Sequence, residues 1–288
     1  MQTDQKPRRN RTWWYALAVL LSLGTVALVL YSTGAYDSWR AERSLDKACD
    51  GTLAQDGLEA ALGTSDLKAD ADEGSATECF VRPSGTGKGR GVQVTLRWDT
   101  ASAPSGEAAR YREAANGVSG QAAPLGRGWP GVVRNDGTWQ VMVTLSCTNR
   151  KGKALDVYGD LYGTSAPSAL NGLARVTTQT AEKAAAKYGC RATTGKPVTT
   201  FPTTRLGTPV SAQPLKQASG SCAALRPLAS AAARNGAPEA AGYPSDAHTP
   251  QVNCFLVTPD GKPAYGLYAY YGSMARDFLA SGPSRISG

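Results

Sequence analysis

Apolar and polar residues alternate in several short stretches of this chain. Between residues 91 and 98 every second position is apolar, in the order Val92, Val94, Leu96, Trp98. A period of two is typical of a half-buried strand. The stretch 79–81 precedes it across a glycine-rich turn, so the two predict a β-hairpin. Two more hairpins are predicted, 132–134 with 139–147 and 253–259 with 264–271, and a further short strand around Leu155, Val157 and Leu161.

The spacing of apolar residues changes to three and four after Pro167. It keeps that period to Tyr188-Gly189, which predicts a long helix. Two shorter helix-like stretches end at glycines. Gly63 stands fourteen residues after Cys49, and Gly236 stands fourteen residues after Cys222, where a helix C-cap would lie.

The two shorter helical stretches belong to segments that repeat one order of features. Each has a cysteine, a helix, a glycine and then a second cysteine that opens a hairpin. The repeat pairs Cys49 with Cys79 and Cys222 with Cys254, and it leaves Cys147 to pair with Cys190. Six cysteines without any C-x-x-C spacing favour three disulfides in an oxidising compartment over a zinc site.

The N-terminal part of the chain is the most apolar. Residues 13–31 carry no charge over nineteen positions, about 28 Å of helix at 1.5 Å per residue, so they predict a transmembrane helix with the lipid bilayer as its partner. Four cations precede it, which places residues 1–12 in the cytoplasm and the remainder outside. The alternative is a signal peptide cleaved near Thr33-Gly34-Ala35. Aromatic residues at both ends of the segment, Trp13, Trp14, Tyr15 and Tyr31, favour a retained single-pass anchor.

These patterns predict an α+β protein. After a cytoplasmic tail (1–12) and a transmembrane helix (13–31), we expect an extracytoplasmic α+β domain over 44–191. This domain would be a disulfide-tied antiparallel sheet with helices packed on one face. A linker rich in proline and threonine follows over 192–219. Residues 220–288 would form a second, partial domain, a smaller copy of the helix-hairpin half.

The cysteine motifs carry a resemblance to a known class of proteins. Ala48-Cys49-Asp50-Gly51-Thr52-Leu53, Cys79-Phe80-Val81, Leu145-Ser146-Cys147 and Tyr188-Gly189-Cys190 resemble the pattern of membrane-anchored or lipoprotein-type extracytoplasmic proteins of high-GC actinobacteria with paired cysteines. The resemblance covers mainly 44–191. It implies an envelope location and a fold type, and it carries over no catalytic residue. The chain departs from the lipoprotein members because no cysteine stands just after the apolar segment to take a lipid.

Signatures of catalysis are absent from the sequence. The run Gly85, Gly87, Gly89, Gly91 has neither phosphate-loop nor dinucleotide spacing, and the single histidine, His248, lies in a proline-flanked loop that is typical of solvated surface. We therefore predict no catalytic residue, cofactor or metal site. The net charge of +8 comes without any Lys/Arg run interleaved with aromatics, so no nucleic-acid partner is expected.

Tyrosines crowd the last predicted strand. Tyr268 and Tyr270 share one face and form a possible ligand surface, a stacking platform for sugar rings or for a partner protein. The alternative is that this face packs within the fold. The sequence thus predicts a membrane-anchored extracytoplasmic binding or interaction protein of the cell envelope, whose partner would be an envelope polymer or a membrane protein. The alternative function is an envelope hydrolase that uses paired carboxylates, for which Glu107 and Glu113 would be tested.

Overall fold

The N-terminal helix α1 spans Asn10–Ser32. The structure, a computed structural model, describes residues 10–32, 35–70, 77–85, 89–98, 121–135, 138–164, 166–200, 212–244 and 246–280. Within these ranges no helix is both long enough and apolar enough to cross a membrane. The transmembrane helix predicted over 13–31 is therefore not supported, although the segment is helical.

The first module, residues 35–200, is an α+β unit as predicted. Its sheet consists of seven strands in the order β1-β2-β3-β7-β6-β5-β4, and every neighbouring pair is antiparallel. The strands are β1 Leu67–Asp70, β2 Glu78–Pro83, β3 Gly91–Trp98, β4 Gln121–Pro124, β5 Gly131–Asn135, β6 Trp139–Ser146 and β7 Ala154–Tyr162. The hairpins predicted at 79–98 and 132–147 are confirmed, and their turn residues 86–88 and 136–137 lie outside the described ranges.

Three helices cover one face of this sheet. They are α2 Ala35–Gly51, α3 Leu58–Leu62 and α4 Pro167–Lys187. The helix-like stretch predicted up to Gly63 is interrupted, because Cys49 and Asp50 are left-handed (φ 50° and 56°) and the helix resumes only at Leu58. The alternating apolar residues of the strands meet Leu170 and Leu173 of α4 in one buried core.

The contact between α4 and the sheet requires a glycine in the central strand. A Cβ placed on Gly159 of β7 would lie 2.2 Å from Oγ1 of Thr177 and 3.1 Å from a methyl of Leu173. Any side chain at this position would push the helix away. Gly159 therefore sets how closely α4 packs against the sheet.

All three predicted disulfides are confirmed. Cys49 bonds to Cys79, Cys147 to Cys190 and Cys222 to Cys254. The first ties the kink near the end of α2 to β2, and the second ties the end of α4 to the end of β6. Each bridge thus fastens helical structure to a strand that it covers.

The second module, residues 212–280, has a sheet of four strands in the order β11-β10-β9-β8. A 3-10 helix at Gly220–Leu228 and helix α5 Ala229–Arg234 cover one side, and the Cys222–Cys254 disulfide joins them to β10. In each module the second cysteine, Cys79 or Cys254, lies on the middle one of three antiparallel strands. The strands are β8 Gln213–Pro214, β9 Glu239–Gly242, β10 Gln251–Val257 and β11 Pro263–Tyr270, and the final helix is α6 Gly272–Ala280.

The second module packs on the face of the first sheet that the helices leave open. Ala122, Val132, Met142 and Tyr158 of the first module form a buried cluster with Met274 of α6, and Tyr270 packs against it. The molecule is therefore layered: helices, seven-stranded sheet, four-stranded sheet, short helices.

Both ends of the predicted linker 192–219 are packed against the modules. Val198 is buried in the first core, and the backbone carbonyl of Lys196 accepts a hydrogen bond of 2.8 Å from the Trp129 indole. At the other end Leu215 is buried in the second core. The central residues 201–211 lie outside the described ranges.

Candidate functional site

A tight turn before β10 forms one wall of the candidate site. The backbone N–H of His248 donates a hydrogen bond of 2.8 Å to Oδ1 of Asp246, and Nδ1 of the imidazole lies 3.2 Å from the same oxygen. Such turns are a common use of aspartate, since its side chain replaces a backbone acceptor. The imidazole is mostly exposed, whereas the Asp246 side chain is only 23% exposed.

A cleft of about 380 Å³ lies between this turn and the first sheet. We call it the junction cleft, because both modules line it. Its polar and aromatic lining residues are Thr144, Ser146, Asp246, His248, Thr249 and Tyr271. The volume falls in the range of about 300–1,000 Å³ that is usual for small-ligand pockets.

The first module contributes the end of β6 to the cleft. Thr144 is held by its backbone N–H, which donates to the carbonyl of Pro130 at 2.8 Å, and its hydroxyl lies 3.5 Å from that of Ser273. Two residues further on, the Ser146 side chain is exposed. Because Cys147 follows and is bonded to Cys190, this edge of the cleft is rigidly placed.

Tyr271 contributes the aromatic part of the cleft. Its backbone N–H donates to the carbonyl of Pro250 at 2.9 Å, which joins the end of β11 to the turn region. The residue is 54% exposed. A fixed backbone with an exposed ring is suited to contact with a ligand.

Beside the cleft, the surface between the two sheets is buried and polar. Gln140 accepts from Arg134 at 3.2 Å and donates to Asp160 at 2.8 Å. Ser273 of α6 donates to Asp156 of β7 at 2.8 Å. We call these five residues the interlayer network. Buried charges need such partners. Of these bonds, the one from Ser273 to Asp156 joins the two modules.

The predicted ligand surface, Tyr268 and Tyr270, lies on the inner face of the second sheet. Tyr270 packs against the cluster around Met142, and the ring of Tyr268 meets Phe255 edge-on at 5.9 Å. Burial raises the pKa of both hydroxyls, that of Tyr268 to about 12, with Tyr270 adding to that rise and the nearby Arg134 opposing it. The structure brings these two tyrosines to the module interface, and their role as a ligand surface stays a prediction.

The remaining predicted residues are placed as follows. All six cysteines are buried and disulfide-bonded, so none is available as a nucleophile or ligand. Across the described ranges no group of three His, Cys, Asp or Glu side chains could hold a metal ion. Glu107 and Glu113 lie outside the described residues.

Sequence reasoning missed the junction cleft. The sequence predicts solvated surface for the loop that holds His248 and a plain hairpin strand over 139–147, and neither pattern indicates a cleft. The available signal was Asp246 two residues before His248 between two prolines, a composition that fixes a turn. No family model, curated protein or solved structure matches this chain.

Proposed function

We propose that this protein is an extracytoplasmic binding or interaction protein of the cell envelope, and that its ligand occupies the junction cleft. Three disulfides support a location in an oxidising compartment, because such bonds are rare in the reducing cytosol. The resemblance to extracytoplasmic proteins with paired cysteines points to the same location.

The observation that carries the binding function is the contrast between the cleft and its surroundings. Within the interlayer network, Asp156 and Asp160 are buried and hydrogen-bonded inside the protein. Ser146 and Tyr271, both exposed residues, line a space that can hold a small ligand. Convergent polar groups in a preformed concave site are typical of binding sites.

The paired-carboxylate hydrolase has less support among the described residues. That chemistry needs two carboxyl groups on opposite sides of the scissile bond. Among the described residues that line the junction cleft, Asp246 is the one carboxylate. Asp156 and Asp160 are 1% and 6% exposed, so a substrate has no access to them.

We also propose that α1 contacts lipid. Its described side chains include seven exposed large apolar residues: Trp13, Trp14, Tyr15, Val19, Leu20, Leu21 and Leu23. Apolar surface of this kind favours an apolar partner. We expect the full chain to float with phosphatidylcholine–phosphatidylglycerol vesicles in a density gradient, and a chain with Leu20, Leu21 and Leu23 changed to Ser to stay at the bottom. Equal flotation of the two chains would contradict lipid contact through α1.

His248 supplies a direct test of binding, because it is the only histidine in the chain. Full-length protein in detergent micelles, labelled with carbon-13 at the histidine ring, should give one imidazole signal that reports on the cleft. We expect that signal to shift saturably when soluble polymers released from the cell envelope are added. A signal that stays in place across the whole envelope extract would overturn the proposed site.

A further inference from the structure

We infer that the junction cleft takes an uncharged saccharide; this inference rests on the proposed binding function and names the chemical class of its ligand. It follows from three properties of the cleft: its charge, its exposed aromatic ring and its hydroxyl groups.

Few charged groups line the junction cleft. Among the described residues that line it there is no lysine or arginine, so a phosphate or carboxylate ligand would lack the cation that usually pairs with it. A cationic ligand would find a single carboxylate among those residues, Asp246, whose Oδ1 is already engaged by the N–H of His248. A neutral ligand needs no charged partner.

Tyr271 supplies the contact that a sugar ring uses most. The face of an aromatic ring carries negative potential, and the C–H groups on one side of a pyranose carry a small positive charge and are apolar. A half-exposed ring on a fixed backbone therefore binds a sugar face without large ordering cost. Tyr271 lines the cleft, its N–H is bonded to the carbonyl of Pro250 and the residue is 54% exposed, so its ring is available for such a contact.

The hydroxyl groups of a saccharide find matching partners in the cleft. Oδ2 of Asp246 has no hydrogen bond within the described part of the chain, so it can accept from a sugar hydroxyl, while the turn occupies Oδ1. The hydroxyl of Ser146, which is an exposed residue, can both donate and accept. Carboxylate and hydroxyl groups beside an aromatic ring thus supply both kinds of contact that a neutral sugar makes.

Four defined probes test the ligand class on the full-length, histidine-labelled protein. Chitotriose and maltotriose are uncharged saccharides, trigalacturonate is an anionic saccharide, and trilysine is a cationic peptide. We expect at least one uncharged trisaccharide to shift the His248 signal saturably. Changing Tyr271→Ala should weaken that affinity about tenfold, which is the loss of roughly one well-packed aromatic contact, whereas Tyr271→Phe should retain it within about twofold, as stacking by the ring requires.

Tyr265 is a matched control for Tyr271. It is 55% exposed, against 54% for Tyr271, and it lies on the same sheet but does not line the cleft. The change Tyr265→Ala should leave the affinity unchanged. Without ligand, the His248 signal of the Tyr271→Ala protein is compared with that of the Tyr265→Ala protein. If the two signals coincide, the turn at His248 is still folded.

Each other outcome overturns a defined part of the argument. If only trigalacturonate or trilysine shifts the His248 signal, the inference of an uncharged saccharide is wrong and the proposed binding function stands. The same conclusion follows if the envelope extract shifts the His248 signal and neither chitotriose nor maltotriose does. If neither extract nor probe shifts it, both proposals fail. If the Tyr271→Ala and wild-type proteins bind the trisaccharide with equal affinity, the sugar does not stack on the Tyr271 ring. That result would contradict the inference.

Discussion

The hydroxyl of Ser273 in α6 donates a hydrogen bond of 2.8 Å to Oδ1 of Asp156 in β7, and both residues are buried. The two residues are 117 positions apart in the sequence and belong to different modules. A buried carboxylate is stable only when donors surround it. The packing of the second module against the first therefore contributes to the stability of the first module.

Ser273→Ala should destabilise the whole chain. The change removes a donor from a carboxylate that is 1% exposed, a loss of about 1–3 kcal/mol in the free energy of unfolding. Urea unfolding followed by far-UV circular dichroism would measure it. Ser230→Ala, at an exposed position of α5, is the control and should change little. Equal urea midpoints for the two variants would show that the bond contributes nothing.

Replacing Cys222 and Cys254 together by alanine should lower stability by about 2–4 kcal/mol, because the bridge restricts the unfolded chain. The Cys147–Cys190 bridge closes a longer loop, with a separation of 43 residues against 32. The difference in loop entropy is only about 0.3 kcal/mol. Thermal unfolding of the two double variants should thus show similar losses. A far larger loss for one pair would mean that its cysteines matter through packing rather than through loop closure.

Gly159→Ala should force α4 off the sheet. The added methyl would overlap Thr177, and overpacking of this kind costs about 3 kcal/mol. Gly85→Ala is the control, since a Cβ there meets nothing within 4 Å. Chemical denaturation of both variants measures the difference. A Gly159→Ala chain as stable as the control would show that the helix can shift at no cost.

Alkaline pH should weaken the fold through Tyr268. Burial raises its pKa to about 12 in the folded chain, whereas an unfolded tyrosine ionises near about 10. The unfolded state therefore loses its proton first, and the free energy of unfolding falls as the pH rises from about 10 to about 12. Tyr268→Phe should unfold at higher pH than the wild type, and Tyr265→Phe should not. Urea midpoints at pH 9 and pH 11 test this, and the same fall in both variants would exclude Tyr268 as its source.

Several elements of the fold follow from local sequence patterns. Strict alternation predicts β3, the period of three and four predicts α4, and the repeated cysteines predict all three bridges. Strand β1 escapes prediction because only Leu67 and Ala69 of its four residues are apolar and acids surround them. A short edge strand gains its stability from pairing with β2, which a local pattern does not record.

The packing of the second module is also beyond a local pattern. Polar residues usually face water, so nothing local marks Asp156 and Asp160 of β7 as buried. In the structure they are buried, and Ser273 and Gln140 bond to them. These partners are distant in the sequence, so the junction cleft, which depends on the same packing, could not be located from local patterns.

The shared cluster of Val132, Met142 and Tyr158 with Met274 has a consequence for how the gene can be divided. A polypeptide that stops after residue 200 would expose these side chains to water as an apolar patch. We expect such a polypeptide to aggregate. Each module therefore covers an apolar surface of the other. We expect the two modules to be expressed, and to evolve, as one unit.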